Sequence, residues 1–149
     1  MHTDLTGSCH CGSVKFRITG EPVLVCGCSC TDCARSSGSP YVVWVGVHAP
    51  MIEFPEELPV VRATSPRTER GHCGECGAAL TFRRIGAEAE VDPLFYVTAA
   101  SLDDPDRVRP SEVVHYGERP DWFDLPDDIP HHPGASPQYG SRKRHGKPN

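Results

Sequence analysis

Cys26-Gly27-Cys28-Ser29-Cys30-Thr31-Asp32-Cys33 places four thiols within eight residues, a density that packing alone does not require. If the segment enters as a strand, its side chains alternate, so Cys26, Cys28 and Cys30 point to one side. A tight turn through Thr31-Asp32 then returns Cys33 to the same point. Thiolate is a soft ligand, and tetrahedral thiolate sites select zinc or iron–sulfur clusters; zinc is the metal expected here. The remaining cysteines form Cys9-His10-Cys11 and Cys73-Gly74-Glu75-Cys76, two short pairs that together supply the four ligands of a closed zinc site. His10 and His72 stand beside them and read as spectators, since four thiols already suffice. Disulfides are the competing reading. Thiols one or two residues apart suit metal geometry better, and Met1-His2-Thr3-Asp4 does not open an export signal.

The two sites differ in what they leave free. The site of Cys9, Cys11, Cys73 and Cys76 has no vacancy and is expected to be structural. Cys28, Cys30 and Cys33 offer a second zinc three thiolates and a fourth position for water or substrate, the property that distinguishes catalytic zinc. Three thiolates over-neutralise the ion, so a soft fourth ligand such as a substrate thiol is favoured over hydroxide, and thiol chemistry over peptide hydrolysis. Cys26 is the candidate fourth ligand that would instead close the site into an inert staple. Asp32, Arg35 and Ser37 are near enough in sequence to line it, and no side chain stands out as a general base.

The chain of 149 residues is long enough for one domain with a core, burying about 70% of its unfolded surface. Its 15 Pro and 14 Gly nevertheless describe a loop-rich, mainly β chain of short strands, one that gains much from metal staples. Alternation and β-branched or aromatic content predict strands at residues 13–18, 23–25, 41–47, 51–54, 60–61, 79–83, 94–98 and 113–116, with one helical turn over 31–37 stopped by Gly38. Tyr41 and Trp44 read as core. Arg62, Arg67 and Arg70 read as a solvated charged face, with an anionic ligand as the alternative. Residues 119–135, carrying Trp122 and Phe123 among acids, read as an extended arm docking on the domain or on a second copy. Residues 136–149 are basic and polar, a tail expected to be disordered. A net charge of −5 argues against general nucleic-acid binding, and the longest apolar run is too short for a membrane span, which places the chain in the cytoplasm as a soluble protein. Exposed sheet edges are compatible with a homodimer.

Gly7-Ser8-Cys9-His10-Cys11-Gly12, the segment from Cys28 to Ser39, Cys73-Gly74-Glu75-Cys76-Gly77 and Pro120-Asp121-Trp122-Phe123 resemble the glutathione-dependent formaldehyde-activating enzymes, a family that includes centromere protein V. The change in composition at Ser136 sets one domain over residues 1–135 with the tail beyond, and the resemblance implies a β-tent of small antiparallel sheets around zinc and a carbon–sulfur lyase type of activity. That activity is the reversible addition of a thiol to an aldehyde, as in joining glutathione to formaldehyde. By position it implies structural zinc at Cys9, Cys11, Cys73 and Cys76 and catalytic zinc at Cys28, Cys30 and Cys33. The chain departs from the family pattern at Cys26, at Ser29, where many relatives have histidine, and at Arg35, one place later than usual. The alternative is a zinc-stabilised binding module with no catalysis.

Overall fold

Among the described residues, short apolar-polar segments separated by glycine and proline fold into ten strands and two short α-helices. The structure, a computed structural model, describes residues 4–138. β1 (Leu5–Ser8) and β2 (Lys15–Ile18) form an antiparallel hairpin, with Gly7 opposite Phe16. β3 (Leu24–Cys28) carries the first half of the cysteine-rich segment and runs into α1 (Thr31–Ser37), which ends at Gly38 in the left-handed region (φ 75°), as its sequence predicts. β4 (Val42–Val47) and β5 (Ile52–Glu53) follow, then the hairpin of β6 (Val60–Ser65) and β7 (Thr68–His72). β8 (Ala79–Arg84), α2 (Glu88–Val91), β9 (Phe95–Thr98) and β10 (Glu112–Val114) complete the order.

Two sheets result. The smaller has the order β1-β2-β5 and the larger β10-β3-β4-β9-β8-β7-β6. The fold is mainly β and loop-rich, with its sheets around the cysteine clusters, as predicted; the named strands pair antiparallel except that β10 joins β3 in parallel, with Glu112 opposite Cys26 and Val114 opposite Cys28. The period of two along β3 and β4 divides the larger sheet into two faces. Val45, Val47 and Val97 turn toward Leu5, Phe16 and Ile18 of the smaller sheet, forming the dry interior. Cys26, Cys28 and Trp44 turn the other way with Leu94, Tyr96 and Val114, so the thiols sit on the face that the small sheet leaves open. Trp44, expected in the core, is 5% exposed and packs on Phe82 with ring centroids 5.6 Å apart.

The β10 edge is covered by the chain itself. Residues 130–134 run beside it, with His132 N donating to Val113 O (2.8 Å), Val113 N to Pro130 O (2.9 Å) and His115 N to Gly134 O (2.8 Å). Of the two aromatics in the arm, Phe123 packs near Tyr41 (6.1 Å), whereas Trp122 is 77% exposed. The proposed tail lies outside the described residues after its first three, of which Ser136 is buried. Among the described residues no helix is long and apolar enough to cross a membrane.

Candidate metal centre and thiol pocket

Two tight turns build the first cluster. Cys9 and Cys11 precede Gly12 (φ 83°), whose N donates to Cys9 O; Cys73 and Cys76 precede Gly77 (φ 77°), whose N donates to Cys73 O. Each glycine takes the left-handed conformation that lets the chain reverse around its sulfurs. Backbone amides then point at sulfur: Val14 N at Cys9 (3.3 Å), and Glu75 N (3.3 Å) and Cys76 N (3.4 Å) at Cys73. Such donors favour thiolate, and they push the Cys73 thiol down to about 6, the Cys76 amide contributing most. Cys9 and Cys11 sulfurs are 3.6 Å apart, Cys11 and Cys73 3.8 Å, and all four lie within 4.8 Å of one another. Zinc–sulfur bonds of about 2.3 Å in a tetrahedron set an edge of about 3.8 Å, so the four donors fit zinc in both chemistry and size.

The second cluster gathers where β3 meets α1. Cys28 ends the strand, Cys30 caps the helix by accepting from Cys33 N (3.2 Å), and Cys33 sits one turn in. Their three sulfurs also lie within 4.8 Å of one another and could hold a metal. Cys26 stands outside this group. It shares the face of Cys28 but is two residues away on an extended strand, a separation of about 7 Å. Burial pushes its thiol up to about 12. Within the trio negative charge concentrates on Cys33, whose thiol is pushed down to about 2 by the side-chain hydrogen bonds with Cys28 and Cys30, and further by Arg70, whose Nη2 donates to its sulfur (3.6 Å).

A cavity of about 80 Å³ opens beside the trio. Cys26, Trp44 and Tyr96 lie along it, and Arg70 and Arg84 form a wall, stacked over the Phe82 ring at 5.0 and 5.1 Å. Tyr96 donates to both oxygens of Asp92 (3.0 and 2.9 Å), and Leu94 N donates to the same carboxylate. Burial pushes both groups up, so the pair stays bonded to itself. Tyr96→Phe removes these bonds from a buried carboxylate and is expected to lower stability by about 1–3 kcal/mol, measured by urea unfolding at pH 7. A raised carboxyl binds its proton in the folded chain before the unfolded one does. The deficit should therefore shrink as pH falls toward that raised value.

Of the residues predicted to line the site, Asp32 does so, while Ser37 donates to Cys33 O (2.7 Å). Arg70 reaches the site, and Arg62 lines a neighbouring cavity together with Arg70. Sequence reasoning passed over Arg84, Asp92, Tyr96 and His115, all of which line the cavity. Thr68-Glu69-Arg70-Gly71-His72 has no apolar side chain, so nothing marked it as a strand facing a pocket. His115 looked like the continuation of a strand that in fact ends at Val114.

The family model described as glutathione-dependent formaldehyde-activating enzyme matches residues 4–118. A protein of Halomonas elongata, provisionally named a glutathione-dependent formaldehyde-activating enzyme, is 32% identical over 132 residues, covering 81% of this chain and 80% of its own. The crystal structure of a Rhodobacter sphaeroides protein resembles the fold with a TM-score of 0.53 and 19% identity, over 70% of this chain and 91% of that one.

Proposed function

The chain belongs to the family of glutathione-dependent formaldehyde-activating enzymes, and from that premise we propose that it is a zinc-dependent enzyme of the carbon–sulfur lyase type. It joins a thiol to an aldehyde and splits the adduct, with S-hydroxymethyl-glutathione as the type of substrate. The observation that carries this reading is the arrangement of Cys28, Cys30 and Cys33, mutually within 4.8 Å beside a cavity, with Cys26 outside the group. In this reading Cys9, Cys11, Cys73 and Cys76 hold a structural zinc, and residues 1–135 act as one domain.

Zinc held by Cys28, Cys30 and Cys33 would supply a Lewis-acidic fourth position for a sulfur or oxygen of the substrate. The chain's own residues do the rest. Arg70 donates to Cys33 and offsets the negative charge of three thiolates. Trp44, Phe82 and Tyr96 keep water from the reacting end, and a cavity of about 80 Å³ suits the thiol and a one-carbon aldehyde rather than a whole tripeptide. Carboxylates of an acidic thiol such as glutathione would remain at the mouth, opposite Arg84. Arg84→Gln should raise KM for glutathione about tenfold with kcat little changed, the pattern of lost uniform binding, read from steady-state kinetics.

The test is two-dimensional NMR exchange between formaldehyde, glutathione and their adduct, together with zinc analysis. Two zinc per chain and exchange faster than the uncatalysed reaction support the proposal; two zinc with no acceleration oppose it. The exposed Trp122 favours the second reading, a binding module with both metals structural, and such a module would take a partner without accelerating exchange. The exposed β6 edge is where a homodimer would add, and thiols that must stay reduced to hold zinc support a cytoplasmic location.

A further inference from the structure

His115 has a positive φ (52°), the only non-glycine among the described residues to do so, in a conformation that side chains other than Asn, Asp and His seldom adopt. Its backbone is fixed by His115 N to Gly134 O (2.8 Å) and by Glu118 N to His115 O (3.0 Å). Its side chain is 15% exposed, and Nδ1 lies 2.9 Å from Glu118 Oε2. The other oxygen of Glu118 accepts from the amide of Thr31 at the start of the helix that carries Cys33 (3.4 Å). His115 also follows Val114, the strand partner of Cys28, and lines the cavity beside the cysteine trio. An imidazole held at one nitrogen by a carboxylate has its tautomer fixed, leaving Nε2 as an acceptor. The buried Asp92–Tyr96 pair also lines the cavity but is spent on itself, and Asp32, the remaining carboxylate along it, is exposed.

We infer that His115, oriented by Glu118, carries the proton in the thiol–aldehyde reaction, an assignment that rests on the function proposed above. In the forward direction the S–H bond breaks and its proton moves to Nε2. Sulfur then bonds to the carbonyl carbon, the π pair of the C=O bond goes to oxygen, and that oxygen takes the proton from Nε2. Thiol and aldehyde become the hydroxymethyl thioether, and the imidazole is restored neutral with no oxidant or reductant. Glu118 is a positioning residue, acting through His115.

The experiment compares wild type with His115→Asn, chosen because asparagine tolerates the same backbone conformation. Glutathione binding to the zinc-loaded proteins is measured by calorimetry in two buffers of different ionisation enthalpy, and exchange with formaldehyde by NMR. Wild type should release little proton to buffer, because the imidazole keeps it, whereas His115→Asn should release close to one per glutathione bound. Exchange in the variant should fall about 10²–10³-fold with KM within about twofold, and added imidazole should restore part of the rate. A merely structural role would move neither the proton count nor the rescue. If wild type accelerates exchange and His115→Asn matches it in rate and proton count, the assignment to His115 fails alone. If wild type with two zinc does not accelerate exchange, the reaction itself fails and the assignment with it. Should His115→Asn lose zinc or structure, Glu118→Gln decides: slower exchange and more proton released support the inference, and values equal to wild type overturn it.

Discussion

Cys73→Ser is expected to abolish cooperative unfolding at neutral pH. Cys73 is 1% exposed, packed with Val14 and Leu80, and receives two backbone amides as well as the neighbouring sulfurs. The four-cysteine cluster ties the β1–β2 hairpin to the start of β8, two parts of the chain more than sixty residues apart (Cys11 to Cys73 is 62). A structural zinc contributes on the order of 10 kcal/mol of apparent binding free energy, and a whole domain is stable by about 5–15 kcal/mol. Losing one of four ligands leaves three close sulfurs with a weakened reason to be together. Urea unfolding followed by circular dichroism should show the native baseline lost, with zinc content below that of wild type. An unchanged midpoint would mean that this cluster does not staple the fold.

Cys30→Ser should have the opposite profile, an intact fold with exchange activity lowered at least 10³-fold. The physical reason lies in its second job. Cys30 caps α1 by accepting from Cys33 N, and serine is among the best residues for that role, so the helix and the position of Cys33 survive the change. The soft donor is lost, and with it one of the three sulfurs proposed to hold the second zinc. Zinc analysis should fall from two to one per chain while urea stability stays within about 1 kcal/mol of wild type. Unchanged turnover in this variant would remove the trio from the chemistry.

Much of this arrangement was legible because cysteine spacing is a geometric statement. Cys9, Cys11, Cys73 and Cys76 converge as their pairs imply, and Gly38 stops α1 where a residue of left-handed conformation was needed. Cys26 shows the limit of the same argument. Alternation correctly put it on the face of Cys28, but alternation cannot tell that the chain turns after Cys28, so that Cys30 and Cys33 come back to Cys28 and leave Cys26 one strand step behind. β7 was illegible for another reason: Thr68-Glu69-Arg70-Gly71-His72 is a strand because β6 and β8 pair with it on both sides, not because of its own pattern. That strand brings Arg70 to Cys33. The parallel pairing of β10 with β3, after which His115 lines the same cavity as the thiols, is a long-range contact that no local pattern encodes. β1 was missed because four residues containing Gly7 give alternation too little length to register.

The most direct test of the central claim, that Cys28, Cys30 and Cys33 hold a metal with a position open to a substrate thiol, is the visible spectrum of the cobalt-substituted protein during a glutathione titration. Cobalt takes tetrahedral thiolate sites and reports a change of ligand in its visible bands. A saturable change is expected in wild type with two cobalt bound, and none in Cys30→Ser, which should hold one. A spectrum of the fully loaded wild type that glutathione leaves unaltered would contradict the claim.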